Sequence, residues 1–266
     1  MPYAYSWYLN LVCPNWDALI LNDYEAVMPL PWKKKCGLKY IVQPYYCQQL
    51  GVFHTMQTVQ VDDFIKAIPK HFIYVSQNLN VSNGKSRFAI KKNTNYELLL
   101  KDINVVRQNY AKNHHKNIKK ANSRGVVISE KPDTPSQFSE KKSVAGRNFM
   151  NETLISTEHM VIKTLTHQSK GQIYTASCQG QNCTSVFLLT DNNRLILLTS
   201  YSDELGKKSR AYFFLLDYIF SLPQYKHFIF DFEGSNIKTI AKINAWFGAT
   251  EKHYYSIRRF FWQSFF

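Results

Sequence analysis

Arg107-Gln-Asn-Tyr110-Ala-Lys-Asn-His-His-Lys116-Asn117-Ile118-Lys119-Lys120-Ala121-Asn-Ser-Arg-Gly125-Val126 is the stretch on which the reading of this chain turns. With Ile103 and Val106 just upstream, Tyr110, Ile118 and Ala121 trace a narrow apolar stripe at helical spacing. The stripe predicts one long helix from about Lys101 that stops at Gly125, a residue suited to the left-handed turn after a helix. Val126 to Ser129 then fits a strand. Between Ile103 and Ser129 stand six basic residues and no acid: Arg107, Lys112, Lys116, Lys119, Lys120 and Arg124. Lys112, Lys116 and Lys120 are four apart and share one face, where like charges repel by about a few tenths of a kcal/mol per pair. A face built against its own helix points weakly to an anionic partner, and an ordinary solvated basic face is the competing explanation.

Upstream, residues 17–22 and 24–30 read as two strands around a tight turn at Asn22-Asp23. Pro29-Leu30-Pro31-Trp32 then reads as an extended exit, because proline restricts itself and the residue before it. Further strands are expected at residues 38–42, 72–75, 87–90 and 96–100, with a short helix over 61–69. Downstream, helices are expected at 136–149 and 154–167. Strands follow at 172–178, 184–190 and 194–201, then a helix over 208–221, a strand at 227–232, a helix over 237–246 and a last strand from about Thr250. Strands and helices mixed in this way predict an α/β (α+β) chain.

The 266 residues carry 33 Lys+Arg against 19 Asp+Glu, a net charge of +14, and 45% of them are apolar. That is enough for a sizeable core and excludes global disorder. Residues 101–150 alone hold 11 Lys+Arg against 4 Asp+Glu, so half the surplus sits in under a fifth of the chain. Helix-turn-helix, RRM and zinc-finger signatures are absent, which argues against a general nucleic-acid coat. The first twelve residues contain no Lys or Arg, and no apolar run reaches 18 residues. Neither a signal peptide nor a membrane span is expected, and the chain reads as cytoplasmic. The aromatic stretch 260–266 reads as a strand or turn docked on the core. Cys178 and Cys183 stand five apart without a second pair, so no metal site is expected. His114 and His115 are adjacent, cannot share a face as ligands, and read as surface histidines.

Four segments, in order, resemble the Fem-like branch of the GNAT acyltransferases. Pro29-Leu-Pro-Trp-Lys33-Lys-Lys, Tyr40-Ile-Val-Gln43-Pro44 and Gln48-Gln49-Leu-Gly51-Val-Phe53 are similar to the family's N-terminal signature. Arg107, Asn117-Ile-Lys-Lys-Ala121 and Gly125-Val126 are similar to the run that opens its second domain. Ser202-Asp-Glu-Leu-Gly206-Lys-Lys-Ser209 stands where these enzymes place a pyrophosphate-holding loop. Phe230-Asp-Phe-Glu-Gly-Ser235 with Phe247-Gly248 resembles the family's ending. The resemblance spans residues 16 to 250 and implies two tandem GNAT-like domains, each a mixed, mostly antiparallel sheet flanked by helices. The expected bounds are 1–100, a degenerate first domain, and 101–250, the acyltransferase domain. The tail 251–266 would return to the first domain.

The resemblance implies N-acyl transfer from an acyl-CoA (acetyl-CoA) or aminoacyl-tRNA donor to an amine acceptor, a small molecule or a peptide, bound in the inter-domain cleft. A monomer is expected. Gly206, Lys207, Lys208, Ser209 and Arg210 would surround phosphate, since a glycine before a helix lets backbone N–H groups approach the anion. Of the strict phosphate signature only the central glycine is kept. Asp231 or Glu233, two apart and expected on one strand face, would supply the base, since two carboxylates so close in a dry site raise the proton affinity of one of them. A pair of acids capping the turn at Gly234 is the alternative. Tyr201 would be a general acid, or a tyrosine at the core edge. Gln43, Gln48 and Gln49 would line the acceptor cleft, with Arg107, Lys116 and Lys120 on an anionic donor or acceptor. His54 would be a packed or solvent-facing histidine. Where peptidyltransferase relatives carry a Phe-Lys pair, this chain has Ile243 and Asn244, with Lys242 beside them. The rival functions are a non-catalytic RNA- or tRNA-binding protein and a degenerate GNAT pair serving as a binding module.

Overall fold

The computed structural model describes residues 1–55, 59–145 and 152–261. The end of the helix expected at 136–149 and the aromatic residues 262–266 lie outside them. In chain order the elements are α1 (Ser6–Val12), β1 (Trp16–Leu21), β2 (Ala26–Lys35), β3 (Leu38–Val42), β4 (Phe53–His54), α2 (Val61–Ala67), β5 (Phe72–Asn78) and β6 (Ala89–Leu99). Then come α3 (Ile103–Gln108), α4 (Lys112–Ser123), β7 (Val127–Ile128), α5 (Pro135–Ala145), α6 (Glu152–His167), β8 (Gly171–Cys178), β9 (Gln181–Asp191) and β10 (Arg194–Ser202). The chain closes with α7 (Glu204–Ser209), α8 (Ala211–Ser221), β11 (Ile229–Asp231), α9 (Lys238–Trp246) and β12 (Thr250–Phe260). Two compact units result, Met1–Thr94 with the described part of Lys252–Phe266, and Asn95–Glu251. The chain passes from one to the other inside β6 and returns inside β12.

The first unit's strands follow the order β1-β2-β3-β5-β12, with β4 also on β2. All pairs are antiparallel except β3 with β5. Asn22 at the β1–β2 turn adopts φ 48°, a conformation asparagine tolerates better than most residues. The prolines expected to end β2 lie inside it. β3 takes Trp32–Lys35 and β4 takes Ala26–Val27, so Pro29 and Pro31 fall where β2 pairs with β1 alone among the described strands. A missing N–H costs no ladder bond there, and the Gln77 amide donates to the Pro29 carbonyl at 2.8 Å. The core gathers Met28, Leu30, Ile41, Ile65, Phe72, Val75 and Ile257.

The second unit's strands follow the order β6-β11-β10-β9-β8-β7, again with one parallel pair, β10 with β11. Its core packs α8, through Phe213, Leu216 and Phe220, on Leu188, Leu195, Leu197 and Phe230. Two helices expected to be continuous are broken. Arg210 takes φ 66° and separates α7 from α8. Asn109 to Ala111 separate α3 from α4, because the Ala111 N–H donates to the Trp246 carbonyl, 2.9 Å, instead of to its own helix. Gly248, at φ 75°, docks against this break; a Cβ there would stand 2.8 Å from Asn109. The break also turns His114 inward. It is fully buried among the rings of Tyr110, Phe213 and Phe247, not on the surface as expected, while His115 is exposed.

Candidate functional site

The parallel pair of the second unit diverges. β11 meets β10 over three residues only, with Ile196 opposite Asp231 as the last rung. Beyond it the Phe232 N–H turns to the Tyr96 carbonyl of β6, at 3.0 Å. β10 continues to Ser202 along β9, with a bulge between Leu197 and Thr199. A bulge bends its strand and re-aims the backbone locally. Ligands favour the crevice beyond the carboxyl end of a parallel strand where its neighbour departs.

Asp231 stands at that point, almost wholly buried. Arg194 Nη1 donates to Asp231 Oδ2 and to Glu97 Oε1, each at 2.7 Å. Asn95 Nδ2 donates to Asp231 Oδ1 at 2.7 Å, and the Glu233 N–H donates to the same oxygen at 3.0 Å. Burial pushes the Asp231 carboxyl above its ordinary value, and Arg194, Asn95 and the Glu233 N–H offset only part of this. Arg194, Asn95 and Glu97 escaped the sequence reading.

Glu233 does not share a strand face with Asp231, because β11 ends at Asp231 and Glu233 takes φ 51°. Its backbone is held on both sides. The N–H goes to Asp231, the carbonyl accepts from Ser235 Oγ at 3.0 Å, and Asn244 Nδ2 steadies Ser235 Oγ at 2.9 Å. The side chain is half-buried, and desolvation pushes its carboxyl up to about 8. The cause is burial, not mutual repulsion with Asp231. Asn244 is thus a loop brace, Ile243 packs against the core, and Lys242 Nζ lies 5.8 Å from the Trp246 ring centre.

Tyr201 lies five residues beyond Ile196 on β10, about 16 Å along the strand from the Asp231 rung. The three catalytic candidates therefore do not converge. The Tyr201 hydroxyl donates to buried Asp133, which also accepts from Lys141 Nζ at 2.7 Å, Ser185 Oγ at 2.7 Å and Asn182 Nδ2 at 3.0 Å. Burial, and then the Asp133 contact, raise the phenol's proton affinity, so Tyr201 is a poor acid and a structural strut. Two cavities of about 650 and 640 Å³ open on this side of the unit, lined by Lys131, Gln137 and Asn182 and by Glu140, Asp203 and Lys207; neither reaches Asp231 or Glu233.

Residues 204–209 form a short helix where an open loop was expected. The Gly206 N–H is taken by Asp203 Oδ1 at 2.8 Å, and Glu204 adds a second acid to the same turn. Gly206 is needed for packing, since a Cβ would stand 2.3 Å from the Cys183 carbonyl oxygen. Lys207 pairs with Glu204 at 2.9 Å, buried Ser209 bonds back to the Gly206 carbonyl, and Arg210 forms the junction. These residues do not fit a pyrophosphate cradle. Gln43 and Gln49 are bonded inward, accepting from the Asn78 and Val81 N–H groups at 2.9 Å each. Gln49 Nε2 donates to Gln48 Oε1 at 2.7 Å, so the three glutamines brace the first unit's own loops. His54 is half-buried in β4. Arg107 is consumed by a two-pronged pair with Asp217, 3.0 and 2.6 Å, steadied by the Tyr110 hydroxyl at 3.2 Å. Lys112, Lys116, Lys119 and Lys120 are exposed on α4, and no acid lies within that helix.

Two units of mixed sheet, each with one parallel pair and flanking helices, make up a tandem fold of the Fem-like, GNAT type. Solved structures similar to it include FemX, at 9% identity over 91% of this chain and 88% of that one, TM-score 0.62. L-PGS from Bacillus licheniformis is similar at 10% identity, 94% and 86% coverage and TM-score 0.55. So is a conserved protein of unknown function from Bacteroides thetaiotaomicron, at 11%, 94% and 89%, TM-score 0.55. No protein-family model matches the chain, and no curated protein matches it. At this identity the likeness is one of fold. Among the described residues, no helix is long and apolar enough to cross a membrane.

Proposed function

We propose that the second unit transfers an aminoacyl group from aminoacyl-tRNA to a primary amine at the divergence of β10 and β11. The observation that carries the reading is Glu233 itself: a carboxyl with its backbone pinned, raised to about 8 by burial, standing two residues past the end of a splayed parallel strand. A base titrating near neutrality suits removal of a proton from an attacking amine. The amine nitrogen forms the new bond to the carbonyl carbon, and Glu233 takes its proton. The ester C–O bond then breaks and the proton passes to the leaving ribose oxygen. Asp231 acts through Glu233 as a positioning residue. The chemistry needs no covalent enzyme intermediate.

The choice of donor is supported by two contrasting surfaces. The helix at 204–209 offers an acidic, already capped first turn, whereas α4 offers exposed lysines that suit a polyanion. Purified protein, titrated with aminoacyl-tRNA, uncharged tRNA and acetyl-CoA at several salt concentrations, tests this. Log affinity for tRNA should fall linearly with log salt, and Lys116→Glu with Lys120→Glu should flatten the slope. Labelled aminoacyl groups should move from tRNA to added primary amines. Transfer from acetyl-CoA alone would overturn the donor. Binding of tRNA without transfer from either donor would leave the non-catalytic rival standing.

A further inference from the structure

We propose that β1 is an acceptor edge, to which an extended apolar peptide segment with basic flanks adds as a further strand of the first unit's sheet. β1 ends the strand order and, among the described residues, pairs with β2 alone. An edge strand presents a row of unpaired backbone donors and acceptors, and proteins usually blunt such edges with lysine, proline or a bulge. Trp-Asp-Ala-Leu-Ile-Leu has none of these; its one charge is Asp17, and its register against β2 is unbroken over six rungs. Ile20 and Leu21 are exposed.

Each face of the edge carries an apolar hollow. Trp16, Ala18 and Ile20, with Val27, Pro29 and Phe53, line a cavity of about 590 Å³. Leu19, Ile20 and Leu21, with Val59, Phe64 and Ala67, line another of about 430 Å³. The division follows the alternation of a strand for four of these residues, Trp16 and Ala18 facing the first hollow and Leu19 and Leu21 the second, while exposed Ile20 borders both. A strand laid along β1 would send successive side chains into the two hollows in turn, the arrangement in which main-chain bonds give affinity and alternate pockets give specificity.

Charge selects the occupant. In a protein of net charge +14, residues 13–32 contain Asp17, Asp23 and Glu25 and no Lys or Arg. Asp17 and Asp23 are exposed, and Glu25 lines the larger hollow. Lys33 to Lys35 begin beyond the end of β1, where β2 pairs with β3. A basic end of the segment therefore belongs beside the Asn22–Glu25 turn. A second copy would bring acidic edge to acidic edge and is disfavoured.

The test uses the full chain and two capped peptides, Lys-Leu-Val-Leu-Val-Lys and Glu-Leu-Val-Leu-Val-Glu. By fluorescence anisotropy the basic peptide should bind at least tenfold more tightly than the acidic one. With it bound, hydrogen exchange at residues 17–21 should slow at least tenfold. A basic peptide N-methylated at alternate amides should not bind, and Ile20→Lys, a change at an exposed site, should weaken binding at least tenfold while leaving the circular dichroism spectrum unchanged. Equal binding of the N-methylated peptide, or unchanged exchange at 17–21, would overturn strand addition. A concentration-dependent dimer in sedimentation equilibrium, abolished by Ile20→Lys and indifferent to peptide, would assign the edge to a second copy and overturn the proposal.

Discussion

Asp133 and Asp231 are buried carboxylates of the same unit, and their environments push them in opposite directions. Burial raises both. Asp133 collects hydrogen bonds from Lys141, Tyr201, Ser185 and Asn182, which together outweigh burial and hold it below the ordinary aspartate range. Asp231 shares its single cation with Glu97, and its other donors do not make up the difference. The lesson is that the count and charge of donors, more than depth, decide whether a buried acid braces a fold or stays poised. The two also respond to acid with opposite sign. Stability from Asp133 is complete above its unfolded value near about 4 and is lost as pH falls through its lower folded value. Asp231 binds its proton more readily when folded, so acidification through its raised value adds stability.

The largest effect should come from Asp133→Ala. It strands Lys141, Tyr201 and Ser185 together and should cost about 4 kcal/mol in urea unfolding; a loss below about 1 kcal/mol would mean that the network does not brace the sheet. Arg194→Met should cost about 3 kcal/mol at pH 7.5. That deficit should shrink at pH 5.5 as Asp231 takes up a proton, and a deficit independent of pH would contradict the contrast between the two carboxylates. Glu233→Gln should lower kcat/KM for aminoacyl transfer about 100-fold, equivalent to about 2.7 kcal/mol. In the parent, kcat should rise with pH and level above about 8; in the variant this limb should vanish. An unchanged profile would remove Glu233 as the base.

The smallest effect concerns His114, whose two ring nitrogens are buried without hydrogen-bond partners. Burial lowers it from 6.5 to about 4, so stability is full above 6.5 and drains away as pH falls toward 4. His114→Phe should raise stability by roughly 1 kcal/mol at pH 7 and flatten the loss between pH 6.5 and 4. An unaltered acid slope of Tm would place the titration elsewhere.

Much of the fold was legible because local pattern and tertiary need agreed. The turn expected at Asn22 holds φ 48°, and β8, β9 and β10 follow their apolar runs to within a few residues. What escaped depended on contacts distant in sequence. The α3–α4 break exists because a carbonyl at Trp246 takes the Ala111 N–H, so a continuous stripe looked like a continuous helix. α1 has neither a side-chain cap bond nor an acidic first turn to announce it. In the candidate site, Asp231 and Glu233 were visible as residues. Their division of labour was not, because a single left-handed φ at Glu233 undoes the two-residue strand alternation. Arg194 was invisible for the same reason that Gly206 misled: what each does is set by its partner, Asp231 in one case and the Cys183 carbonyl in the other.

The passage of the chain through β12 has a consequence for biogenesis. Residues 95–251 form an uninterrupted unit, whereas the first unit's strand order β3-β5-β12 needs residues 252–260. During synthesis, which delivers domains from the N-terminus onward, the unit that begins first is therefore the one completed last. Until β12 arrives, β5 waits as a second open edge of the first unit.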